Sequence, residues 1–282
     1  MRITSVVGAR PNFMKVAPIA SALADIPEVR HYLVHTGQHY DQSMSDVFFQ
    51  DLSIPVPDID LGVGSASHAV QTGRIMEEFE KVCLSERPDV ILVVGDVNST
   101  MACTLVAAKL LIQVAHVEAG LRSLDRTMPE EINRIVTDTL AEYLFTTNRD
   151  ADKNLKREGI PEKKIHFVGN VMIDTLLKYR EKAASLDVPS SMGLDSGGYA
   201  VMTLHRPSNV DDPIVLQGIL ESVQSISQSM PVVFPVHPRT SKRIREFGLD
   251  PLVDSPVHKC DPLGYLEFLS LMSEARFVMT DS

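Results

Sequence analysis

The sequence predicts an α/β protein in which two doubly wound parallel-sheet domains, each Rossmann-like, face each other across a cleft. Short apolar, β-branched runs alternate with longer helical patterns along all 282 residues, which is typical of parallel sheets covered by helices. The most apolar run, Asp89–Val94, resembles a strand buried on both faces. The chain is long enough for two domains, and we place them at residues 1–170 and 171–282.

The first domain contains six predicted strands separated by helices. The strands cover Ile3–Val7, Tyr32–His35, Asp89–Val94, Ile112–Ala115, Tyr143–Thr147 and Lys164–Val168. The helices cover Phe13–Leu23, Gln42–Phe49, His68–Leu84, Met101–Leu111, a segment beginning at Pro129, and Asp150–Glu158. Proline at the first helical position and acids in the first turn mark the start at Pro129. Ser53–Ser65 is rich in Pro, Asp and Gly and is predicted to be a loop.

The second domain repeats this alternation. Its predicted strands are Tyr199–Leu204, Pro231–Val236, a short one before Asp261, and Arg276–Thr280. Its predicted helices are Ile214–Ser227, Ser241–Phe247 and Asp261–Met272. The tract Ala183–Gly198, rich in serine and glycine, is predicted to connect the domains outside either core. The last strand stops where a ligand-binding loop would begin, so we expect the second domain to be truncated.

Charge and motif content exclude several classes of protein. The net charge of −10 argues against a nucleic-acid-binding surface, so an anionic ligand would need a local cationic pocket. Three scattered cysteines indicate free thiols in a reducing compartment, and neither a signal peptide nor an 18-residue apolar run is present. We therefore expect a cytoplasmic protein that does not contact membranes. No metal-ligand spacing, Gly-x-Ser-x-Gly or Gly-x-Gly-x-x-Gly motif occurs, so no metal and no cofactor are predicted.

Charged residues follow the predicted strand ends, where α/β proteins place their chemistry. The residues expected to line the cleft are Arg10, Lys15, Asp96, Glu118, Glu130, Arg134, His205, Arg206, His237 and Arg239. Carboxylates suit general acid–base chemistry on a sugar ring, whereas arginine, histidine and helix N-termini suit a diphosphate. Plainer interpretations remain open. Asp96 could cap a helix, Glu130 could belong to an ordinary surface helix, and His205 could simply end a strand. His116 is expected to pack or hydrogen-bond internally.

The chain resembles the non-hydrolysing UDP-N-acetylglucosamine 2-epimerases over its whole length. The motifs that carry this resemblance are Gly8-Ala-Arg-Pro11 with Lys15, Gly37-Gln-His39, Gly95-Asp96, His116-Val-Glu-Ala-Gly-Leu-Arg122, Pro129-Glu-Glu131 with Asn133-Arg134, Gly169-Asn170, His205-Arg206, Pro235-Val-His-Pro238 and Thr280-Asp-Ser282. The resemblance implies a GT-B fold, a homodimer and a part in nucleotide-sugar metabolism for cell-surface polysaccharides. It also implies that UDP is expelled by anti elimination to give a 2-acetamidoglucal, and is then added back with the proton on the other face.

The resemblance also implies roles for individual residues. Asp96, Glu118 and Glu130 would transfer protons, and His205 would lie beside the leaving diphosphate. The residues that would bind the substrate are Arg10, Lys15, Arg134, Leu263, Phe268 and Ser282. A second UDP-N-acetylglucosamine activates some relatives, and the candidates for such a site are Gln38, His39, Arg74, Arg206 and His237.

Departures from the family pattern keep alternatives open. Asn12 stands where many members have glutamate, and Ser208 replaces a glutamate in His-Arg-x-Glu-Asn. The chain also ends before the Gly-Gly-x-Gln-Glu-Glu loop, so we expect weak UDP binding, and a catalytically impaired UDP-sugar-binding fragment is one alternative. The alternatives are an epimerase of another UDP-2-acetamido sugar, such as a 2,3-diacetamido uronic acid, a hydrolysing relative, and a non-catalytic UDP-sugar-binding protein. The chain retains Asp96, Glu118, Glu130 and His205, which a protein that only binds a UDP-sugar would not require.

Overall fold

A computed structural model describes residues 1–37, 52, 54 and 56–281 of the chain. The chain divides into two compact units, Met1–Leu177 and Lys178–Ser282. The division falls inside the helix Val171–Ala184, whereas the sequence placed the junction near residue 170, just before that helix. Each unit is described by itself below.

Parallel strands form the core of the first unit. In chain order they are β1 (Arg2–Val7), β2 (Arg30–His35), β3 (Ile59–Asp60), β4 (Val90–Val94), β5 (Gln113–Ala119), β6 (Tyr143–Thr146) and β7 (Ile165–Phe167). Their spatial order is β3-β2-β1-β4-β5-β6-β7. All six neighbouring pairs are parallel, as the near-continuous apolar runs of β1 and β4 predict.

Helices follow the strands of this unit and cover the sheet. They span Arg10–Ala24, His68–Glu86, Asn98–Lys109, Pro129–Leu140 and Arg149–Arg157, and the helix Val171–Ala184 begins in this unit. Side chains such as Val93 of β4, Phe79 and Cys103 pack into one buried cluster. Burial of such apolar side chains stabilises the unit by about 1.5–3 kcal/mol each.

The second unit has the same architecture on a smaller scale. Its described strands are β8 (Ala200–Thr203), β9 (Val232–Pro235), β10 (Val257–Cys260) and β11 (Phe277–Thr280), in the spatial order β10-β9-β8-β11. Its helices are Val188–Ser191, Pro207–Val210, Pro213–Ser227, Pro238–Glu246 and Tyr265–Ser273. Phe234 and Leu216 are fully buried in its main cluster.

Each sheet contains a topological switch point, where successive connections leave a strand in opposite directions. In the first unit this point lies between β1 and β4, because β2 and β3 extend one side and β5 to β7 the other. In the second unit it lies between β8 and β11. Ligands in open α/β sheets bind at the carboxyl ends of strands beside such points. Both switch points therefore locate candidate sites.

The predicted fold class of alternating helices and two parallel sheets is confirmed, with two corrections. The predicted loop Ser53–Ser65 contains β3, whose Ile59 pairs with Val34 of β2. A two-residue strand is too short to produce a periodic pattern. The tract Ala183–Gly198 does not lie outside the cores, because Val188 and Leu194 are buried with Tyr199 in the second unit. Isolated apolar residues among serines and glycines gave no sign of this packing.

Some expectations fall on residues that the structure does not describe. The predicted helix Gln42–Phe49 and the site residues Gln38, His39 and Ser282 lie outside the described residues. None of the described helices combines the length and apolar character that a membrane crossing requires.

Candidate functional site

The turn that follows β1 is fixed to the end of β4 by one buried amide. Asn12 Oδ1 accepts hydrogen bonds from the backbone N–H groups of Gly8 (3.1 Å) and Ala9 (3.0 Å). Its Nδ2 donates to the carbonyl of Val94 at 3.1 Å. A side chain that both accepts and donates is needed here, because the turn presents N–H groups and β4 presents a carbonyl. Asn12 therefore aligns the two strand ends that form the switch point.

A buried ion pair joins Lys15 to Glu118 at this edge. Lys15 Nζ donates to Glu118 Oε2, and the two side chains are only 8% and 14% exposed. Buried charges are tolerated when they are paired, so each ion needs the other. Gly95 comes close to both, since a Cβ built on it would lie 2.8 Å from Lys15 Nζ and 3.4 Å from Glu118 Oε2.

The backbone at Glu118 adopts a strained conformation, and this conformation sets the direction of its carboxylate. Its φ is +74°, a left-handed conformation that residues other than glycine rarely adopt. The register between β5 and β6 shifts between Val117 and Ala119, so Glu118 lies at a bulge. Bulges and left-handed residues of this kind concentrate at functional sites, where they redirect a side chain.

A second ion pair holds Asp96 against the helix Pro129–Leu140. Arg134 Nη2 donates to Asp96 Oδ2, and Arg134 Nη1 donates to Glu131 Oε2 at 3.2 Å. The alternative role of Asp96 as a helix cap is not supported, because the next helix begins at Asn98 with Val97 as its cap residue and no side-chain cap. That helix starts three residues before the predicted Met101.

Glu131 is the buried member of the acidic helix start. It accepts hydrogen bonds from the backbone N–H groups of Ser123 (2.9 Å) and Leu124 (3.1 Å). Burial acts to raise the pKa of Glu131, but these N–H groups together with Arg134 outweigh it and the pKa is lowered. Glu131 thus stays ionised and fixes the loop 121–128, while Glu130 beside it is half-buried.

The carboxylate of Asp138 is the centre of a buried network behind Glu118. His116 Nδ1 lies 2.6 Å from Asp138 Oδ1, and Asp138 Oδ2 accepts from the N–H of Gly120 at 3.0 Å. Arg122 Nη1 lies 2.8 Å from the same oxygen, and Arg122 also donates twice to Glu158. His116 is fully buried, as its expected internal role requires.

At the switch point of the second unit, Asp281 organises the loop after β8. Its carboxylate accepts hydrogen bonds from the backbone N–H groups of His205 (3.0 Å) and Arg206 (2.8 Å) and from Asn209 Nδ2 (3.1 Å). His205 Nδ1 lies 3.0 Å from Asp281 Oδ1. Burial acts to raise the pKa of Asp281, but these donors outweigh it and the pKa is lowered. An ionised Asp281 therefore receives the Nδ1 hydrogen of His205 and leaves Nε2 for a ligand.

The other candidates of the second unit are distributed over its carboxyl edge. Leu263 and Phe268 pack, partly buried, against the cluster around Tyr199. A cavity of about 220 Å³ in the same unit is lined by Val236, Ser241, Lys259, Cys260 and Asp261. Burial raises the pKa of the Cys260 thiol, which is therefore a neutral part of that wall. His237 caps the helix Pro238–Glu246 by accepting from the N–H of Arg239.

The structure brings only some of the predicted residues together. Lys15, Asp96, Glu118 and Arg134 share the edge of the first sheet. Arg10 begins the helix that also carries Lys15, and the exposed Arg74 lies on the helix His68–Glu86. Among the described residues, no cluster of three or more His, Cys, Asp or Glu side chains could hold a metal ion.

Sequence reasoning missed Asp138 and gave Asp281 no role. One signal for Asp138 was available, because Glu131, Arg134 and Asp138 recur at helical spacing and share one face. That face carries polar side chains toward the sheet. No local signal identifies Asp281 as the partner of His205, since β8 and β11 become neighbours only in the folded sheet.

Comparisons with known proteins place the chain among nucleotide-sugar epimerases. The sequence model of one family, described as UDP-N-acetylglucosamine 2-epimerase, matches residues 21–282. The UDP-N-acetylglucosamine 2-epimerase of Methanocaldococcus jannaschii is 44% identical, over 100% of this chain and 79% of the relative. The UDP-2,3-diacetamido-2,3-dideoxy-D-glucuronate 2-epimerase of Pseudomonas aeruginosa is also 44% identical, over 100% of this chain and 78% of the relative.

Solved structures agree with these sequence matches. The M. jannaschii enzyme in complex with UDP-GlcNAc and UDP superposes with a TM-score of 0.91 at 43% identity, covering 100% of this chain and 79% of that one. The Neisseria meningitidis UDP-GlcNAc 2-epimerase bound to UDP-GlcNAc gives a TM-score of 0.90 at 29% identity, over 100% and 78% of the two chains. The expected GT-B type of fold is confirmed by these neighbours.

Proposed function

The chain belongs to the UDP-N-acetylglucosamine 2-epimerase family, and from that premise we propose that it interconverts UDP-N-acetylglucosamine and UDP-N-acetylmannosamine. The observation that carries the proposal is the pairing of Glu118 with Lys15 and of Asp96 with Arg134 at one switch point. Two cation-paired carboxylates at the edge where ligands bind suit proton transfer on a neutral sugar ring.

The chemistry follows from the low acidity of the hydrogen on carbon 2. Simple removal and return of that proton would be costly, so the proposed reaction couples proton loss to departure of UDP. A carboxylate takes the proton from carbon 2, the electron pair forms the double bond between carbons 1 and 2, and the bond from carbon 1 to the phosphate oxygen breaks. UDP then adds back to carbon 1 of the glucal, and carbon 2 receives a proton on the opposite face.

In the first unit, the proposed proton-transfer groups are Asp96, Glu118 and Glu130. Their environments differ, since Glu118 is held by Lys15, Asp96 by Arg134, and Glu130 by no side-chain hydrogen bond to a described residue. Carboxylates with different hydrogen-bonding partners can take different roles in one site. Lys15, Arg134 and Arg10 are the proposed cationic contacts of the substrate.

In the second unit, His205 is proposed to contact the leaving diphosphate. Asp281 holds its Nδ1 side, so Nε2 can donate to a phosphate oxygen when the ring is protonated. Leu263 and Phe268 are proposed contacts of the uridine, together with Ser282. The candidates for an activating second UDP-GlcNAc stay Gln38, His39, Arg74, Arg206 and His237. A homodimer and a cytoplasmic location also stay predictions.

A second candidate substrate is favoured by one specific similarity. The P. aeruginosa relative, named for a UDP-2,3-diacetamido uronic acid, is as similar to this chain as the M. jannaschii enzyme. The same elimination and re-addition would act on either sugar, because both carry the acetamido group at carbon 2. We therefore keep epimerisation of that UDP-sugar as the alternative.

Product analysis by NMR and anion-exchange chromatography tests the proposal. The protein is incubated separately with UDP-N-acetylglucosamine and with the UDP-2,3-diacetamido uronic acid. UDP-N-acetylmannosamine formed from the first compound supports the proposal, and turnover of only the second supports the alternative. Release of free sugar with UDP would instead identify a hydrolysing enzyme, and binding without turnover of either compound would identify a non-catalytic protein.

A further inference from the structure

Asp138 bonds three points of the segment that carries Glu118. Its carboxylate meets His116 Nδ1 at 2.6 Å, the N–H of Gly120 at 3.0 Å and Arg122 Nη1 at 2.8 Å. These contacts bracket Glu118 on both sides along the chain. A left-handed residue persists only where its surroundings over-determine the backbone, and Asp138 supplies that constraint.

The second ring nitrogen of His116 reaches the other strand end. His116 Nε2 lies 2.8 Å from the carbonyl oxygen of Gly95, the residue before Asp96. A carbonyl oxygen can only accept a hydrogen bond, so Nε2 must donate. Asp138 is ionised beside Arg122 and also only accepts, so Nδ1 must donate as well. The geometry therefore requires hydrogens on both nitrogens, which is the imidazolium form.

The charges around this ring are compatible with that form. Burial acts to raise the pKa of Asp138, but His116 and Arg122 outweigh it and the pKa is lowered. Arg122 is paired in turn with Glu158. Two cations thus alternate with two carboxylates, and all side chains except that of Glu158 are at most 2% exposed. Buried charges in such an alternating chain satisfy one another.

We propose that Asp138 and an imidazolium His116 are a pair of positioning residues that fix the spatial relation of Asp96 and Glu118. Asp138 bonds the N–H of Gly120 beside the bulge at Glu118, and His116 bonds the carbonyl of Gly95 in the turn before Asp96. This inference rests on the proposed function, because it assigns these two carboxylates to proton transfer. The side chains of Asp138 and His116 are 1% and 0% exposed, so both act only through the groups they hold.

The alternative is a purely structural role, which predicts loss of stability without a specific effect on turnover. Positioning predicts that kcat falls while KM changes little, since substrate still binds but the carboxylates are misaligned. It also predicts a signature in the free protein. Both ring nitrogens of His116 carry a hydrogen in the folded protein at neutral pH, before any substrate is added.

The test combines histidine 15N NMR with kinetics of matched variants. Wild-type protein labelled at the histidine ring should show one imidazolium that resists solvent exchange and is absent from His116→Gln. Asp138→Asn should lower kcat about 10- to 100-fold with KM within about 3-fold, the range typical when an outer partner of a site is lost. The control Asp152→Asn neutralises an acid on the helix Arg149–Arg157 and should leave kcat within about 2-fold.

A neutral His116 ring in the folded wild type would overturn the inference, and this measurement holds even if Asp138→Asn fails to fold. A folded Asp138→Asn variant with wild-type kcat would also overturn it. The same holds if Asp152→Asn lowers kcat as much as Asp138→Asn does. The ring signature needs no substrate, so it is independent of the proposed function. Absence of epimerase turnover in the wild type would instead refute the proposed function while the NMR result stands.

Discussion

Replacing Gly95 by alanine tests whether the Lys15–Glu118 ion pair is needed for turnover. Gly95 has a φ of +68°, and an added Cβ would lie 2.8 Å from Lys15 Nζ. The atom that is too close is the end of a flexible side chain, so we expect Lys15 to move away from Glu118 while the backbone keeps its path. The charge-assisted hydrogen bond between them would then be lost or lengthened.

A matched control isolates that effect from backbone strain. Gly159 has a φ of +85°, and a Cβ added there would meet nothing within 4 Å. Each substitution forces an L-residue into the left-handed region at a cost of about 1–2 kcal/mol. In a unit of this size each should therefore lower the midpoint of thermal unfolding by roughly 2–8 °C. Only Gly95→Ala should disturb the ion pair.

The expected loss of turnover follows from the strength of the bond. A hydrogen bond to a charged group contributes about 1.5–3 kcal/mol, so its loss in the transition state lowers kcat roughly 10- to 150-fold. Initial rates with saturating UDP-N-acetylglucosamine, measured well below the unfolding midpoint of both variants, give kcat. Equal kcat values for Gly95→Ala and Gly159→Ala would refute the reasoning.

Two further predictions follow from buried carboxylates. Asp281→Asn keeps one oxygen for the backbone N–H groups of His205 and Arg206, but its NH2 group cannot accept the hydrogen that His205 Nδ1 donates to the other oxygen, so kcat/KM should fall at least about 10-fold. Asp254→Asn, exposed in the same unit, should match wild type, and equal rates for the two variants would contradict the role of Asp281. Glu131 has a lowered pKa, so its contribution to stability is full above the usual glutamate value of about 4.3 and is lost as pH falls through the native value. Urea unfolding should therefore show that Glu131→Gln is about 1–3 kcal/mol less stable than wild type at pH 7. This difference in stability should shrink below about pH 4. A difference that stays constant with pH would contradict the role of the ionised Glu131.

The sequence located Glu118 at a strand end but could not predict its backbone. The apolar pattern continues through Val117, so nothing marks the point where the register with β6 shifts. That shift depends on pairing with a strand more than twenty residues away. The strand accordingly extends to Ala119, beyond the predicted end at Ala115.

The helix Pro129–Leu140 shows the limit of hydrophobic patterning. Its pattern alone suggests that Ile132 and Leu140 face the core, yet they are 41% and 39% exposed. The helix instead buries Glu131, Asn133 and Asp138, because the sheet edge it covers presents N–H groups, carbonyls and cations. Helical period identifies faces, whereas the polarity of the surface that each face meets is set by the tertiary fold.

Exchange of the hydrogen on carbon 2 tests the central claim most directly. The protein is incubated with UDP-N-acetylglucosamine in deuterated water, and deuterium at carbon 2 of UDP-linked sugar is followed by NMR. Wild type should incorporate deuterium, and Glu118→Gln should bind the substrate, measured by calorimetry, while exchange falls at least about 100-fold. Turnover of wild type without deuterium at carbon 2, or exchange by Glu118→Gln at the wild-type rate, would contradict the account.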